Sequence, residues 1–390
     1  MVRHLPAAVA VLLLATACTD PEPRSDPPEP LELTWTEAAL PMPPGPAGRI
    51  AVREAIVCAG VWYVIGGVFP PDPTEDSRPA AWSSPDGVTW TSLELDPQGY
   101  WAERAVFSSV ACREGEIAMV GAKSGGAHGN PRVTTWYQRD DGVYTDVVAA
   151  FELYGGPLAV TVQRIAGGPD GWLIAGARTS GAAVWLSEDA TDFRLIDDDR
   201  GLSSDDSMET LAWDQVHDGE RWTVVGSAAV KGRLPRVPMA WTSPDGEAWH
   251  RQEVPGSDGF TDLERVIRTP EGLLAAGIRG DEFGTWERVD GTWHRLGLFG
   301  ALDPDRRAGP YVSGLTDSGS QFFASVSDGT SYALWASDDG REWRPVTTPT
   351  NPTTAGEHIM SVSSSGSSLI LLADDGEAGR VWRGQGQDDR

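Results

Sequence analysis

The side chains that most often perform catalysis do not form a common catalytic motif in this chain. The six histidines stand at positions 4, 128, 217, 250, 294 and 358, and none has metal-ligand spacing. The sequence contains no G-x-S-x-G, no H-E-x-x-H and no phosphate-binding P-loop. Motifs alone therefore predict no metal, no cofactor and no catalytic residue, and any site has to be assembled by the fold.

Tryptophan recurs about every fifty residues, which is typical of a repeat architecture. Each recurring tryptophan stands in a short strand-like run such as AAWSS or MAWTS. The equivalent residues are Trp82, Trp136, Trp185, Trp241, Trp286, Trp335 and Trp382. Seven equivalents predict seven repeats.

Each repeat carries the signals of four short strands. The recurring tryptophan is followed by a turn such as S-P-D-G and, eight residues on in three repeats, by Trp90, Trp249 or Trp343. Two apolar runs precede it, which in the first repeat are EAIVCAG and WYVIGG. Four strands joined as a meander form one propeller blade. The sequence therefore predicts an all-β, seven-bladed β-propeller of four-stranded antiparallel blades over residues 31–383.

The seventh repeat lacks its fourth strand. Only RGQGQDDR follows Trp382, and residues 384–390 are expected to be a disordered tail. A matching strand is found near the N-terminus, where LTWTEAALP around Trp35 resembles VTWTSLELDP around Trp90. We expect this N-terminal strand to pair with the three C-terminal ones and close the ring, because closure removes two open sheet edges.

Two cysteines occupy the same position in neighbouring repeats. Cys58 lies 24 residues before Trp82, and Cys112 lies 24 before Trp136. Both come at the end of the first strand of a blade, near the axis. We predict a disulfide between Cys58 and Cys112 in an oxidising compartment, with two buried thiols as the alternative.

The S-x-D-G-x-x-W elements resemble the Asp-box, or BNR, repeats of the sialidase-like propellers, whose usual pattern has one more residue between Asp and Gly. Sialidases, sortilin-type receptors, xyloglucan-cleaving enzymes and photosystem assembly factors share such boxes, so the resemblance implies the fold and not the activity. Each box carboxylate is expected to bond the amides of its own turn. The predicted structural residues are Asp86, Gly87, Trp90, Asp245, Gly246, Trp249, Asp339, Gly340 and Trp343.

A sialidase would also need three arginines, a Tyr–Glu pair and an acidic Asp around the channel mouth. G-R-I-A at 48–51 is a distant match to the R-I-P element of sialidases, without its proline and preceding aromatic. Arg164 and Arg265 are the candidate channel arginines, and Tyr311 with Glu357 is the candidate nucleophile pair. No local pattern identifies any of the four.

Loop lengths divide the predicted disc into two unlike faces. Turns between first and second strands and between third and fourth strands are short, as in AGV and PDG. The other connections are long, as in FPPDPTEDSRP at 69–79 and GLFGALDPDRRAGP at 297–310. Both kinds of long connection emerge on one side of a meander, which we call the long-loop face. The opposite side, which carries the short turns, is called the Asp-box face. Binding on a rigid scaffold is usually carried by variable loops.

Aromatic and arginine side chains of the long connections are the candidates for binding. Exposed aromatics beside arginines suit sugars, peptides or other proteins, although such aromatics can also tuck under their own loops. The predicted binding residues are Trp101, Arg104, Tyr154, Arg233, Arg236 and Tyr311, accompanied by Tyr100, Phe260, Phe299, Arg306 and Arg307.

The N-terminus predicts export. An apolar stretch from Leu5 to Ala17 follows Arg3 and His4 and is too short for a permanent membrane helix. It ends in A-T-A-C, which resembles a bacterial lipobox with Ala15 where Leu is preferred. We predict a signal peptide over residues 1–17 and acylation of Cys18, which would anchor the protein to the outer face of the bacterial cell membrane. Simple secretion is the alternative.

Residues 18–30 form a proline-rich acidic linker, which is expected to be stiff and extended at about 3.1 Å per residue.

Composition excludes some partners. Fifty-seven acidic against thirty-one basic side chains give a formal charge of −26, which argues against nucleic acid and against lying flat on anionic lipid. The acidic run DDDRGLSSDD at 197–206 lacks the ligand spacing of a calcium loop.

Three functions from different classes fit the sequence. The first is a noncatalytic, surface-anchored binding or scaffold propeller with a protein or glycan ligand on the long-loop face. The second is a sialidase-like exo-glycosidase, which requires the arginines and acidic groups to converge. The third is an assembly factor for an exported complex, for which the sequence offers no partner motif.

Overall fold

The computed structural model describes residues 28–72, 74–125 and 131–385, which form seven four-stranded antiparallel sheets arranged as the blades of a β-propeller. The predicted fold class is confirmed. The predicted signal peptide, Cys18 and most of the predicted linker lie outside the described residues. Within the described ranges, no helix is long and apolar enough to span a bilayer.

Blades 1 to 6 use four consecutive strands each. Blade 1 contains β2 (Arg49–Cys58), β3 (Val61–Phe69), β4 (Arg78–Ser84) and β5 (Thr91–Ser92); blade 2 contains β6 (Val106–Arg113), β7 (Glu116–Lys123), β8 (Arg132–Gln138) and β9 (Tyr144–Asp146). Blade 3 contains β10 (Ala159–Gly168), β11 (Gly171–Arg178), β12 (Gly181–Ser187) and β13 (Arg194–Ile196); blade 4 contains β14 (Met208–His217), β15 (Trp222–Val230), β16 (Val237–Ser243) and β17 (His250–Glu253). Blade 5 contains β18 (Thr261–Thr269), β19 (Gly272–Arg279), β20 (Glu282–Val289) and β21 (Thr292–Ala301); blade 6 contains β22 (Tyr311–Asp317), β23 (Phe322–Ser327), β24 (Tyr332–Ser337) and β25 (Arg344–Val346). A 3-10 turn (Ala102–Arg104) and helix α1 (Phe151–Tyr154) lie in the connections on either side of blade 2.

Blade 7 joins the two ends of the chain, as the sequence predicts. It contains β26 (Ile359–Ser365), β27 (Ser368–Asp374), β28 (Gly379–Gln385) and the N-terminal β1 (Thr34–Ala38). β1 pairs antiparallel with β28 from Thr34 opposite Gln385 to Ala38 opposite Val381. β28 therefore runs two residues past the predicted end of the propeller at 383.

The recurring tryptophans pack in the core between blades, and several of them bond the loops that enter their blades. Trp82, Trp185 and Trp241 are fully buried on the third strands of their blades. Their indole N–H groups donate to main-chain carbonyls of Pro41, Leu153 and Gly201, at 2.8, 2.7 and 2.9 Å. Each acceptor belongs to the long connection that enters the same blade, so the repeat fixes the base of the long-loop face.

The innermost strands carry a bulge at one level of the channel. Pairing of β2 with β3 shifts between Val52 and Glu54, and pairing of β14 with β15 shifts between Ala212 and Asp214. Equivalent shifts occur in β6, β10, β18 and β22. A bulge places consecutive side chains toward the same side of the strand, so polar groups from several blades are directed at the axis.

The turns of the Asp-box face have the geometry that their residues favour. Oδ1 of Asp86 accepts from the N–H groups of Val88 and Thr89 at 2.9 and 2.7 Å, and Asp245 and Asp339 bond their own turns in the same way. These backbone donors hold the pKa of Asp86 down, to about 2. These carboxylates therefore stabilise their own turns by accepting main-chain hydrogen bonds.

A disulfide joins the first two blades on the Asp-box side. The structure links Cys58, at the end of β2, to Cys112, near the end of β6, with Cα atoms 5.4 Å apart. Cys58 is 1% exposed. The bond ties two innermost strands that the chain would otherwise connect only through the outer part of blade 1.

Candidate functional site

The long-loop face carries most of the exposed apolar surface. Of the eleven large apolar side chains that are exposed among the described residues, nine lie in the long connections or where these join a strand. The exceptions are Leu298, on the outer strand of blade 5, and Val88, on the Asp-box face. The nine are Met42, Tyr100, Trp101, Val148, Phe151, Leu158, Val160, Leu234 and Phe260. Exposed apolar surface is typical of binding sites, so the long-loop face is the candidate face for binding.

The predicted binding residues Trp101 and Arg104 lie together between blades 1 and 2. Trp101 is 38% exposed. Arg104 stacks over the Tyr100 ring at 3.7 Å and pairs with Asp76 at 2.8 Å and Glu103 at 2.6 Å. The guanidinium is therefore engaged by its own loop and by Asp76 of the connection between β3 and β4, and the Trp101 indole is the more accessible group.

The other predicted binding residues differ in exposure. Tyr154 is only 6% exposed, with its hydroxyl bonded to Thr135, because α1 turns the ring inward against Trp185. Arg233 is exposed on the loop before β16, beside Leu234, which is 96% exposed. Arg236 is half-buried and donates to Ser227. The six residues are thus spread around the face and do not form one site.

Phe299 does not belong to the exposed surface. It is 4% exposed and stacks on Phe283 and Trp343 at centroid distances of 5.5 and 4.6 Å. The reason is that β21 continues to Ala301 and carries Phe299 into the space between blades 5 and 6. The sequence placed this residue in a loop because the strand was expected to end earlier.

The channel below the long-loop face is crossed by ion pairs. Arg164 of blade 3 pairs with Glu54 of blade 1 and, at 3.3 Å, with Asp214 of blade 4. Burial lowers the pKa of Arg164 to about 10, which leaves it charged at neutral pH. The two carboxylates also accept main-chain N–H groups of the next blades, from Val110 at 2.9 Å and Val266 at 3.1 Å. These carboxylates hold neighbouring blades in register.

A second set of ion pairs closes the blade 1 to blade 7 side. Arg53 contacts Glu357 at 2.5 Å and Asp374 at 3.0 Å. Arg49 of the G-R-I-A element contacts Asp374 at 2.6 Å. The Asp374 side chain is fully buried, so both arginines are held by a carboxylate of the protein itself.

A depression at the channel mouth is lined by residues of blades 3 to 6 and of the connections between them. This channel-mouth cavity has a volume of about 660 Å³. Its lining includes Trp213, Phe260, Asp262, Glu264, Arg265 and Tyr311. Three aromatic rings, two carboxyl groups and two arginines, Arg265 and Arg306, line one concave site, and this mixture of apolar and polar groups is usual in a small-ligand pocket.

The two carboxyl groups of the cavity are buried. Asp262 is 4% exposed and accepts the Trp213 indole N–H at 2.8 Å, and Glu264 is 8% exposed and accepts the Val312 N–H at 2.6 Å. Burial raises the pKa of Asp262 against the opposing effect of the Trp213 N–H. Burial, reinforced by the neighbouring Asp262 charge, raises the pKa of Glu264. Both groups favour the protonated form more than an ordinary carboxyl group does.

The structure does not form the predicted nucleophile pair. The Tyr311 hydroxyl bonds the Tyr332 hydroxyl, whereas Glu357 contacts Arg53. Burial raises the pKa of Tyr311. The pairing was wrong because Glu357 precedes β26 in blade 7 and is drawn to the arginine of blade 1 rather than to Tyr311 in blade 6.

Arg265 is the candidate channel arginine that the structure leaves without a carboxylate partner among the described residues. Its guanidinium donates to the main-chain carbonyls of Glu264 and Ser313, at 2.6 and about 3.3 Å. Asp262 and Trp213, by contrast, had no sequence signal as site residues. Asp262 is the second residue of β18 and Trp213 lies at the bulge of β14, so their approach to one cavity is visible only once the strands of both blades are placed.

The described part of the chain shows no cluster of three or more His, Cys, Asp or Glu side chains that could hold a metal ion. In the acidic run at 197–206, Asp199 and Asp205 instead accept main-chain N–H groups of their own loop. Asp205 also pairs with Arg251 at 2.6 Å.

Comparison with known proteins supports the fold. No family model matches the chain, and no curated protein matches it. The β-propeller domain of the Trilobed protease from Pyrococcus furiosus is 10% identical with a TM-score of 0.51, covering 88% of this chain and 97% of that one. The chain is thus a seven-bladed β-propeller, and identity at this level shows the fold alone.

Two solved enzyme structures also align with most of this chain. Trypanosoma rangeli sialidase is 11% identical with a TM-score of 0.42, covering 87% of this chain and 55% of that one. A GH32 β-fructofuranosidase from Bombyx mori is 12% identical with a TM-score of 0.37, covering 90% of both chains. The structural neighbours therefore include sialidase and GH32 propellers as well as a protease domain.

Proposed function

We propose that this protein is a noncatalytic binding propeller, exported and anchored by lipid, that binds a protein or glycan ligand on its long-loop face. The observation that carries the proposal is the concentration of nine exposed apolar side chains on that face, against one on the Asp-box face. The long-loop face also holds the channel-mouth cavity. A rigid ring with fixed short turns leaves the long connections to provide specificity.

The ion pairs of the channel support a noncatalytic role. A site that recognises an anionic sugar needs arginines that are free to pair with it. Arg53 and Arg164 are both neutralised by carboxylates of the protein. A ligand would have to displace these partners and leave buried charges unpaired, which is costly.

The path of the N-terminal segment supports an outward orientation of the long-loop face. Leu31 forms a parallel bridge with Val346 at the end of β25 and exchanges main-chain hydrogen bonds with Pro345 and Thr347. β1 then begins at Thr34 opposite Gln385, the last residue of the third strand β28. Because third strands end on the Asp-box side, the chain enters blade 7 from that side. A lipid on Cys18 would then keep that side toward the membrane and present the long-loop face to ligands.

Capture of ligand by the immobilised protein tests the binding role. Trp101→Ala and Arg233→Ala are expected to weaken capture from cell-surface extracts, while the melting temperature changes little because surface substitutions usually cost about 0.5 kcal/mol or less. Val88→Ala on the Asp-box face is the control, since its exposed fraction of 38% equals that of Trp101. Loss of capture with Val88→Ala alone would reverse the assignment of the faces.

The anchor is tested by membrane fractionation. Cys18→Ser is expected to move the protein from the membrane to the soluble fraction, because the acylation site is removed. An unchanged distribution would exclude the lipid anchor and leave the binding role standing.

A sialidase-like exo-glycosidase is the second candidate, favoured by the channel-mouth cavity. Arg265, Tyr311 and two buried carboxyl groups line one cavity, and a buried carboxylic acid can serve as a general acid. Hydrolysis of 4-methylumbelliferyl glycosides that is abolished by Glu264→Gln would establish this activity. If the protein is noncatalytic, neither the wild type nor Glu264→Gln hydrolyses these substrates.

A further inference from the structure

A second depression lies on the long-loop face, away from the channel. It is bounded by the connection between blades 1 and 2, by the start of β8 and by the connection that holds α1. We call it the rim cleft. Its lining includes Gly99, Trp101, Arg132, Asp146 and Phe151, and its volume is about 190 Å³. Sites for drug-sized ligands start at about 300 Å³, so the rim cleft admits one small ring.

The walls of the rim cleft are aromatic rings fixed by an arginine. The guanidinium of Arg132 lies 4.3 Å from the centroid of the Phe151 ring and 5.4 Å from that of Trp101. The Tyr100 ring meets Trp101 edge-on at 4.9 Å. Trp101 and Phe151 nevertheless remain 38% and 48% exposed. Rings that are already held in place lose little conformational freedom when a ligand stacks on them.

The floor of the rim cleft contains a buried carboxylate with an open oxygen. Asp146 is 6% exposed, and its Oδ1 accepts the Gln98 N–H at 2.6 Å. Its Oδ2 has no hydrogen-bond partner among the described residues. Gly99 leaves the space beside this oxygen open, because a Cβ at that position would stand 3.0 Å from Oδ2.

These groups define the chemistry of a ligand. Aromatic walls favour a ring with an apolar face, and the open Oδ2 of Asp146 requires a hydrogen-bond donor. Arg132 supplies further donors to the cleft, since its guanidinium pairs with no carboxylate among the described residues and its Nε has no hydrogen-bond partner there. One carboxylate and one guanidinium balance, so a neutral ligand meets no net charge. A sugar ring combines an apolar C–H face with hydroxyl groups at its edge.

We propose that the rim cleft is a binding subsite for a single neutral sugar ring of a glycan. The ring stacks on Trp101, one hydroxyl donates to Oδ2 of Asp146, and Arg132 donates to a second oxygen. This inference rests on the proposed role of the long-loop face in binding, and it narrows the ligand to a saccharide. The subsite is separate from the channel-mouth cavity, with which it shares no lining residue.

The test uses saturation-transfer NMR and calorimetry on the full-length protein with the methyl glycosides of glucose, galactose, mannose and N-acetylglucosamine. At least one probe is expected to bind. Asp146→Asn and Gly99→Ala are expected to weaken it about tenfold or more, because each removes or blocks a hydrogen bond to a charged group. Trp101→Ala is expected to have the same effect through loss of stacking. Leu298→Ala, with a similar exposed fraction of 39%, is the control that keeps wild-type binding.

The pattern of binding among the variants decides whether the rim cleft is the sugar-binding subsite. Loss of binding in the three cleft variants, with native circular dichroism and wild-type binding by Leu298→Ala, supports the subsite. Binding that survives in the cleft variants but is lost with Phe260→Ala places the sugar in the channel-mouth cavity and overturns the rim cleft. Failure of all four probes to bind at millimolar concentration overturns the saccharide. Neither negative result removes the proposed binding role, which depends separately on capture by the long-loop face.

Discussion

At the scale of single residues, burial decides what the charged side chains of the channel can do. Arg164 and Arg53 are neutralised by carboxylates from other blades. Asp262 and Glu264 are buried without a full salt bridge among the described residues and so favour their protonated forms. The carboxylates of the Asp-box turns have the opposite balance, because main-chain donors stabilise their charged forms.

Stability against pH should report this difference. The folded protein keeps protons on Asp262 and Glu264 at pH values where the unfolded chain, with carboxyl pKa values near 4, has lost them. The contribution of these two groups to the free energy of unfolding is therefore fully present below about pH 4, where both carboxyl groups are protonated in the folded and the unfolded state. It falls as the pH rises toward their raised pKa values. The slope is at most about 1.4 kcal/mol per pH unit for each proton. Urea unfolding of Asp262→Asn and Glu264→Gln between pH 5 and 8 should show a flatter dependence than wild type.

Asp245→Asn is the control of opposite sign. Its lowered pKa, due to the main-chain N–H of Glu247 and neighbouring donors, means that its contribution is present above pH 4 and is lost on acidification. The substitution should therefore leave the slope between pH 5 and 8 unchanged. An identical slope for wild type and both cavity variants would contradict the assignment of raised pKa values.

At the scale of elements, aromatic residues stabilise both ends of several blades. At the long-loop end, four third-strand tryptophans donate to main-chain carbonyls of the entering loops, as Trp82 does with Pro41; the other three are Trp185, Trp241 and Trp286. The tryptophans after the Asp-box turns close the opposite end: Trp249 is 4% exposed and donates to the Gly246 carbonyl at 2.9 Å, and Trp343 does the same with Gly340. Trp90 is equally buried, at 6% exposed.

Removing a ring from the box end should destabilise the fold, unlike removing one from the loops. Trp90→Ala and Trp249→Ala are each expected to lower the free energy of unfolding by about 3–5 kcal/mol, because a buried indole leaves a cavity. Trp101→Ala should cost about 0.5 kcal/mol or less. Chemical denaturation compares the three; a large loss for Trp101→Ala would mean that its ring serves folding rather than binding.

The sequence predicts elements better than it predicts contacts between them. Strand order, the Asp-box turns and the role of Trp35 in β1 can be anticipated because they depend on local patterns that recur in every repeat. Even the two-residue turn of blade 5 follows from V-D-G, and Asp290 and Gly291 both have positive φ. The partners of Arg164 and Glu357 cannot be anticipated, since they come from blades that are distant in sequence and depend on how far each bulge turns a side chain toward the axis.

At the scale of the whole molecule, the ring is a closed chain of blade-to-blade contacts. Blade 7 packs on blade 1 through Ile370, Leu372 and Val381 against Val52 and Trp82. The disulfide of Cys58 and Cys112 strengthens the next junction. At the junctions of blade 4 with blade 5 and of blade 5 with blade 6, carboxylates at the bulges accept main-chain N–H groups of the following blade, Asp214 from Val266 and Glu264 from Val312. Opening any one junction therefore exposes apolar surface on two blades.

The junction made by β1 is the one that a short deletion can remove. Loss of residues 31–42 leaves β28 with an unpaired edge opposite β27 and removes the carbonyl of Pro41 that accepts the Trp82 N–H. An open edge beside exposed apolar side chains is a template for pairing with another molecule. The truncated protein should therefore self-associate and unfold at a lower temperature, as measured by light scattering after size exclusion and by calorimetry. A chain lacking only residues 19–27, which precede β1, should remain monomeric. If the 31–42 deletion also stays monomeric with the wild-type melting temperature, β1 is dispensable and the ring is held by its other six blades.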